Sequence, residues 1–89
     1  MDIQHDPATH RFFVEVDGHA GYVEYVAGEG MIAITHTIVP PAIGGRGIAG
    51  HLVRAALDYA RNQGLKVAPH CSYADAWMQR HPDYNALRA

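Results

Sequence analysis

An α+β domain of order β-β-β-α-β-α is predicted by three observations. Apolar and polar residues alternate with the period of strands through Arg11–Val16, His19–Ala27 and Met31–Val39. The period changes to that of a helix between Gly47 and about Gln63, and a short apolar run, Leu65–His70, follows at once. With only 89 residues the chain is one domain, residues 1–89, with no room for a large second unit.

The first two strands are joined by Asp17-Gly18, a dipeptide suited to a tight hairpin because both positions adopt a positive φ. Gly28-Glu29-Gly30 makes the second turn, and Pro40-Pro41 stops the third strand, so the three form an antiparallel meander. In the helix, Ile48, Leu52, Val53, Ala56, Leu57 and Ala60 share one face, and Gly64 is the natural C-terminal cap. Leu65–His70 is reached by a crossover, which makes it a fourth strand parallel to the third. A second, C-terminal helix starts at Ser72 or Tyr73, runs to Arg80 and ends near His81-Pro82. There is no internal repeat, linker or low-complexity stretch.

Composition excludes several classes of function. A formal net charge of −2 and scattered basic residues oppose nucleic-acid binding, which needs clustered Lys and Arg. No apolar run approaches the roughly 20 residues of a membrane span, and the N-terminus lacks the basic-then-apolar start of a signal peptide. No membrane partner and a cytoplasmic location are the expectation. Cys71 is the single cysteine, a free thiol in keeping with a reducing compartment. A zinc site from His70, Cys71 and His81 is disfavoured, because adjacent His-Cys chelates poorly and no paired-ligand spacing is present. No metal is expected. The seven histidines share no helical or strand spacing and read mostly as surface residues.

The segment between Pro40 and Leu57 is the most informative. A strand empties into Gly44-Gly45-Arg46-Gly47, and the helix opens with Ile48-Ala49-Gly50. The first turn of a helix has unpaired N–H groups and partial positive charge, so a turn stripped of side chains admits a phosphate closely. Gly45 to Gly50 also matches Gly-x-Gly-x-x-Gly. A dinucleotide-binding fold would need an acid about twenty residues on, at the end of the next strand, and Leu65–His70 ends without one. A Walker loop would need Gly-Lys-Ser/Thr, which is absent.

The same residues resemble the acyl-CoA-binding motif of the GNAT superfamily of N-acyltransferases, Gln/Arg-x-x-Gly-x-Gly/Ala. Arg46, Gly47, Ile48 and Ala49 fill its last four positions, while Gly44 stands where Gln or Arg is usual, a departure that weakens one pyrophosphate contact. More closely, the chain resembles the short single-domain YjdJ-type branch. Its four recurring motifs stand here in order as His36-Thr-Ile-Val-Pro40, Gly45-Arg-Gly-Ile-Ala49, Pro69-His-Cys-Ser-Tyr73 and Arg80-His-Pro-Asp-Tyr84.

The resemblance implies a minimal GNAT fold that binds acetyl-CoA and moves its acetyl group to an amine, a small amine or a protein lysine. Ile38 and Val39 would offer backbone groups to the pantetheine arm. The N–H groups of Gly45 to Gly50 would hold the pyrophosphate, with Arg46 adding charge. The two helices that longer relatives use to wall the acceptor site are missing, which implies an open or partner-completed site. His36, alternating with Ile34 and Ile38 on one face, is either a general base or a core histidine. Cys71 is either an acyl-accepting nucleophile, with His70 or His36 as its base, or a small buried apolar residue. Tyr73 either protonates the leaving thiolate or packs the last helix with Trp77 and Met78. A CoA-binding module without catalysis and a plain interaction domain are the alternatives. The assembly is a monomer or homodimer, an exposed edge strand being compatible with the latter.

Overall fold

A computed structural model describes residues 1–89. Five strands form one sheet in sequential order: β1 (Gln4–Asp6), β2 (Arg11–Val16), β3 (His19–Gly28), β4 (Met31–Ile38) and β5 (Lys66–Pro69). The first four are antiparallel and β5 runs parallel to β4, as the meander and crossover require. Helix α1 (Ile48–Gln63) and helix α2 (Ser72–Arg80) complete the core order, with short 3-10 turns at Pro41–Ile43 and Pro82–Leu87.

One strand and both 3-10 turns go beyond the sequence reading. Strand β1 pairs with β2 over three residues, Gln4↔Phe13 to Asp6↔Arg11, too few to leave a periodic signal. It is held by side-chain stacking: the His5 ring lies 4.1 Å from Phe12, and His5 Nε2 is 2.6 Å from the Tyr25 hydroxyl. The 3-10 turn after α2 returns the chain to the sheet, where Ala89 N–H donates to the Val67 carbonyl and the Tyr84 hydroxyl donates to Asp58 on α1 at 2.8 Å.

The local signals act as expected. Asp17 and Gly18 adopt φ of 51° and 78°, both left-handed, and close the β2–β3 hairpin at Val16↔His19. Gly64, at φ 71°, ends α1 with its N–H on the Ala60 and Arg61 carbonyls while Leu65 N–H also returns to Ala60.

One face of the sheet carries the core. Phe12, Val14, Val23, Tyr25, Ile32, Ile34 and Val67 meet Ile48, Leu52, Val53, Ala56, Leu57 and Ala60 of α1, all buried. Truncating any of the large aliphatic members to alanine costs about 2–5 kcal/mol. The first turns of α1 pack over Gly21 on β3, where a Cβ would make ordinary contact, 3.4 Å from Ile48 Cγ2 and 3.5 Å from Leu52 Cδ1.

A β-bulge at Thr35 decides which way the end of β4 faces. Tyr25 pairs with Ile34, but Glu24 pairs with His36, so Thr35 is the extra residue. Thr35 Oγ1 donates to the Glu24 carbonyl at 3.3 Å. Beyond the bulge the alternation inverts: Thr37 lies opposite the buried Val23, whereas His36 and Ile38 join Glu24 and Tyr22 on the opposite face. The expected grouping of His36 with Ile34 is therefore corrected. His36 is 61 % exposed and is not a core histidine.

No helix covers that opposite face. Phe13, Tyr22 and Ile38 form a row across β2, β3 and β4, beside a second row of Arg11, Glu24 and His36. Phe13 and Ile38 remain 36 % and 43 % exposed.

Candidate functional site

Strands β4 and β5 part company at the bulge. Their last paired residues are Ile34 and Pro69, and His70 and Cys71 both donate their N–H to the Ile34 carbonyl, each at 3.0 Å. Beyond that point β5 turns away into α2, and Thr35–Ile38 have no strand on that side. The result is an unpaired backbone edge on β4 beyond Ile34. On the helix side the side chains of Thr37 and Cys71 meet across the parted strands, Oγ1 to Sγ at 3.4 Å.

The edge of β4 leads through Val39-Pro40 into the glycine turn. Ile43 and Ile48, both buried, pin the turn at its two ends, and Gly44 to Gly47 between them are exposed. Gly45 and Gly47 adopt φ of 76° and 75°, a left-handed conformation that other residues take only with strain, while Gly44 is extended. Gly47 is the N-cap of α1 and supplies no side-chain acceptor, and the first turn holds no acid. The earliest helical N–H bond into this end comes from His51 to the Gly47 carbonyl, so the N–H groups of Ile48, Ala49 and Gly50 are left for an anion.

Arg46 is not free. Its guanidinium donates to Asp17 at 2.7 Å, tying the glycine turn to the β2–β3 hairpin. Gly50 has a packing role as well as its backbone N–H: a Cβ there would stand 3.2 Å from Trp77 Nε1 and 3.4 Å from the Tyr73 hydroxyl. Its missing side chain is what lets α2 close on α1.

Cys71 is the N-cap of α2, with Sγ accepting from Ala74 N–H at 3.4 Å. Its other polar neighbour is Thr37. Neither expected base reaches it: His70 is exposed to solvent, and His36 lies on the uncovered face. His36 Nδ1 is instead 3.2 Å from Thr35 Oγ1 and 3.5 Å from Glu24 Oε1, and Glu24 also takes Arg11 Nε at 2.9 Å. Tyr73, one residue into α2, directs its hydroxyl toward Gly50 and forms no hydrogen bond within the chain.

A groove of about 170 Å³ runs along α1 from this turn, lined by Gly47, Gly50, His51, Arg54 and Trp77. His51, Arg54 and Trp77 escape a sequence reading because the groove needs two helices. The only advance signal is that 47, 50, 51 and 54 share one helical stripe. No three His, Cys, Asp or Glu side chains converge as metal ligands would. No helix is long and apolar enough to cross a membrane.

Comparison with known proteins agrees with this architecture. The family model described as GCN5-related N-acetyl-transferase matches residues 11–87. Protein NATD1 of Gallus gallus is 37% identical over 86 residues, covering 92% of this chain and 77% of its own length. Protein NATD1 of Homo sapiens is 38% identical over 84 residues, covering 90% and 74%. The NMR solution structure of a GCN5-like protein from Staphylococcus aureus superposes with a TM-score of 0.77 at 24% identity, over 99% of this chain and 87% of that one.

Proposed function

This chain belongs to the GCN5-related N-acetyltransferase family, and on that premise we propose that it binds acetyl-CoA and transfers the acetyl group directly to an amine. The observation that carries the reading is the unpaired edge of β4 from Thr35 to Ile38, continuous with the uncapped glycine turn. An extended, amide-rich arm finds backbone partners along such an edge as an added strand does. Ile38 and Val39 are the residues assigned to that pairing. At the far end of the arm, the N–H groups from Gly45 to Gly50 suit a pyrophosphate, with Arg46 at the rim.

Acetyl-CoA supplies an acyl group already activated as a thioester. The protein must then hold it, admit the amine and accept the amine's proton. The phosphates would lie on the helix side of the parted strands, and His36 stands on the uncovered face. An amine of pKa ~10.4 is protonated at neutral pH and has to lose a proton before it attacks. With Nδ1 turned to Thr35 and Glu24, His36 presents Nε2 for that proton. The Tyr73 hydroxyl stands beside Gly50, at the phosphate end of the arm, so the departing thiolate is left to be protonated by solvent and Tyr73 is given no catalytic role.

Direct transfer is favoured over an acylated Cys71 because Sγ caps α2 and has no base in contact. The acceptor, a small amine or a protein lysine, approaches over a face that no helix walls. That openness also favours a second reading, a CoA-binding module that does not turn over. Calorimetric titration with acetyl-CoA, followed by assay of thiol release with amine acceptors, separates them. Saturable one-to-one binding with turnover supports the transferase, and binding without turnover supports the module. No binding at millimolar ligand sinks both.

A further inference from the structure

We infer that the groove along α1 is a second phosphate site, which selects a ligand bearing a 3′-phosphate on its ribose, as CoA does, over the same ligand without that phosphate. The inference rests on the CoA reading above and adds to it the residues that would recognise the nucleotide end.

The stripe Gly47, Gly50, His51, Arg54 is built in two halves. The two glycines contribute no side chains, so the first half is bare helix N-terminus, the place assigned to the pyrophosphate. The second half presents two exposed nitrogenous side chains, about 10 Å along the helix axis from Gly47 to Arg54 at 1.5 Å per residue. A pyrophosphate at the turn leaves Arg54 available for another anion.

Arg54 makes no ion pair. The nearest acid on its own helix face, Asp58, is engaged by the Tyr84 hydroxyl at 2.8 Å and by Arg61 at 3.8 Å. The Arg54 guanidinium instead rests over aromatic rings, 5.3 Å from the centre of Trp77 and 5.9 Å from that of Tyr84. It is thus a positioned cation without a counter-charge, in a chain whose formal net charge is −2.

Trp77 supplies the independent observation. Its ring is buried, the residue being 4 % exposed, while its indole N–H makes no hydrogen bond within the protein and opens to solvent on the groove wall beside Gly50. A donor left open on the wall of a cleft, between a bare helix N-terminus and an unpaired arginine, suits a phosphate oxygen. The guanidinium can make two parallel hydrogen bonds to the same group, which a neutral ribose hydroxyl cannot accept.

The test is calorimetric titration of the intact chain with CoA and with 3′-dephospho-CoA, for the wild type, R54Q and R80Q. Arg80 is exposed on α2 and forms no ion pair, so it controls for loss of charge alone. The expected wild-type preference for CoA is about tenfold, the contribution of one charge-assisted contact. R54Q should bring that ratio close to one by weakening CoA only, and R80Q should leave it unchanged. Equal wild-type affinities overturn the proposal. So does R54Q weakening both ligands alike, or a preference that survives in R54Q. Failure of the wild type to bind either ligand would remove the CoA reading itself, a result distinct from equal binding.

Discussion

Replacing Cys71 separates a capping thiol from a nucleophile. Sγ accepts one hydrogen bond from Ala74 N–H at 3.4 Å and touches Thr37 Oγ1 at the same distance. In C71A the Ala74 N–H loses its partner, and loss of an N-cap costs about 0.5–2 kcal/mol, centred near 1. For a domain of this size that lowers the melting temperature by about 4–8 °C. In C71S the hydroxyl keeps the cap, so stability should stay within about 0.5 kcal/mol of wild type. Direct transfer predicts that C71S also keeps turnover within about threefold, less than 1 kcal/mol of barrier. An acyl-enzyme predicts loss of at least a hundredfold, because a serine hydroxyl with no base is a poor nucleophile. Thermal denaturation by circular dichroism and thiol release from acetyl-CoA read the two effects separately. The reasoning is refuted if C71S melts like wild type but is inactive, and mass spectrometry of quenched wild-type reactions finds acetyl on Cys71.

Other perturbations have defined outcomes. H36Q should lower turnover by about 10²–10⁴, the range for a general base, and leave calorimetric acetyl-CoA affinity unchanged; a matching loss of affinity would count against the role. G47A should cost about 1–2 kcal/mol in urea denaturation, since the φ of 75° is strained for alanine although the added methyl meets nothing within 4 Å. D17N should change stability by less than about 1 kcal/mol, as an exposed ion pair does, while freeing Arg46 to tighten acetyl-CoA binding by about two- to fivefold at low salt. Burial holds His5 below its ordinary value of 6.5, against the pull of Asp6. As pH falls below 6.5 the unfolded chain takes up that proton first, so stability present at neutral pH is lost progressively on the acid side. H5F, which keeps the stack on Phe12, should flatten the acid slope of the melting temperature; an unchanged slope would refute the assignment. Burial raises Tyr25 and Tyr84 above 10.0, so on the alkaline side stability falls once the unfolded tyrosines begin to ionise.

What was legible in the sequence is what is local. Asp17-Gly18, Gly64 and the glycines of the turn announce themselves because positive φ is a property of single residues. The α1 core stripe is equally readable, since six buried residues follow one helical period. Features made by contact between distant segments were hidden. The β1 strand depends on His5 meeting Phe12 and Tyr25, and the Arg46–Asp17 pair joins turns 29 residues apart. The Arg54–Trp77 groove needs α2 to dock on Gly50. The bulge left no trace either: Ile34-Thr-His-Thr-Ile38 contains no glycine or proline to mark a break in alternation.

That inserted threonine works as a phase slip. Up to Ile34, every second side chain of β4 is committed to the interior; one residue later the same strand is half a period out of step, and its imidazole looks outward. A single strand is thereby divided between holding the molecule together and meeting its surroundings, without a loop between the two tasks. Were Thr35 threaded into regular alternation instead of bulged, His36 would turn inward against the helix and Thr37 out to solvent. One residue held out of the ladder is thus enough to let a strand whose first half lies in the core end on the opposite face.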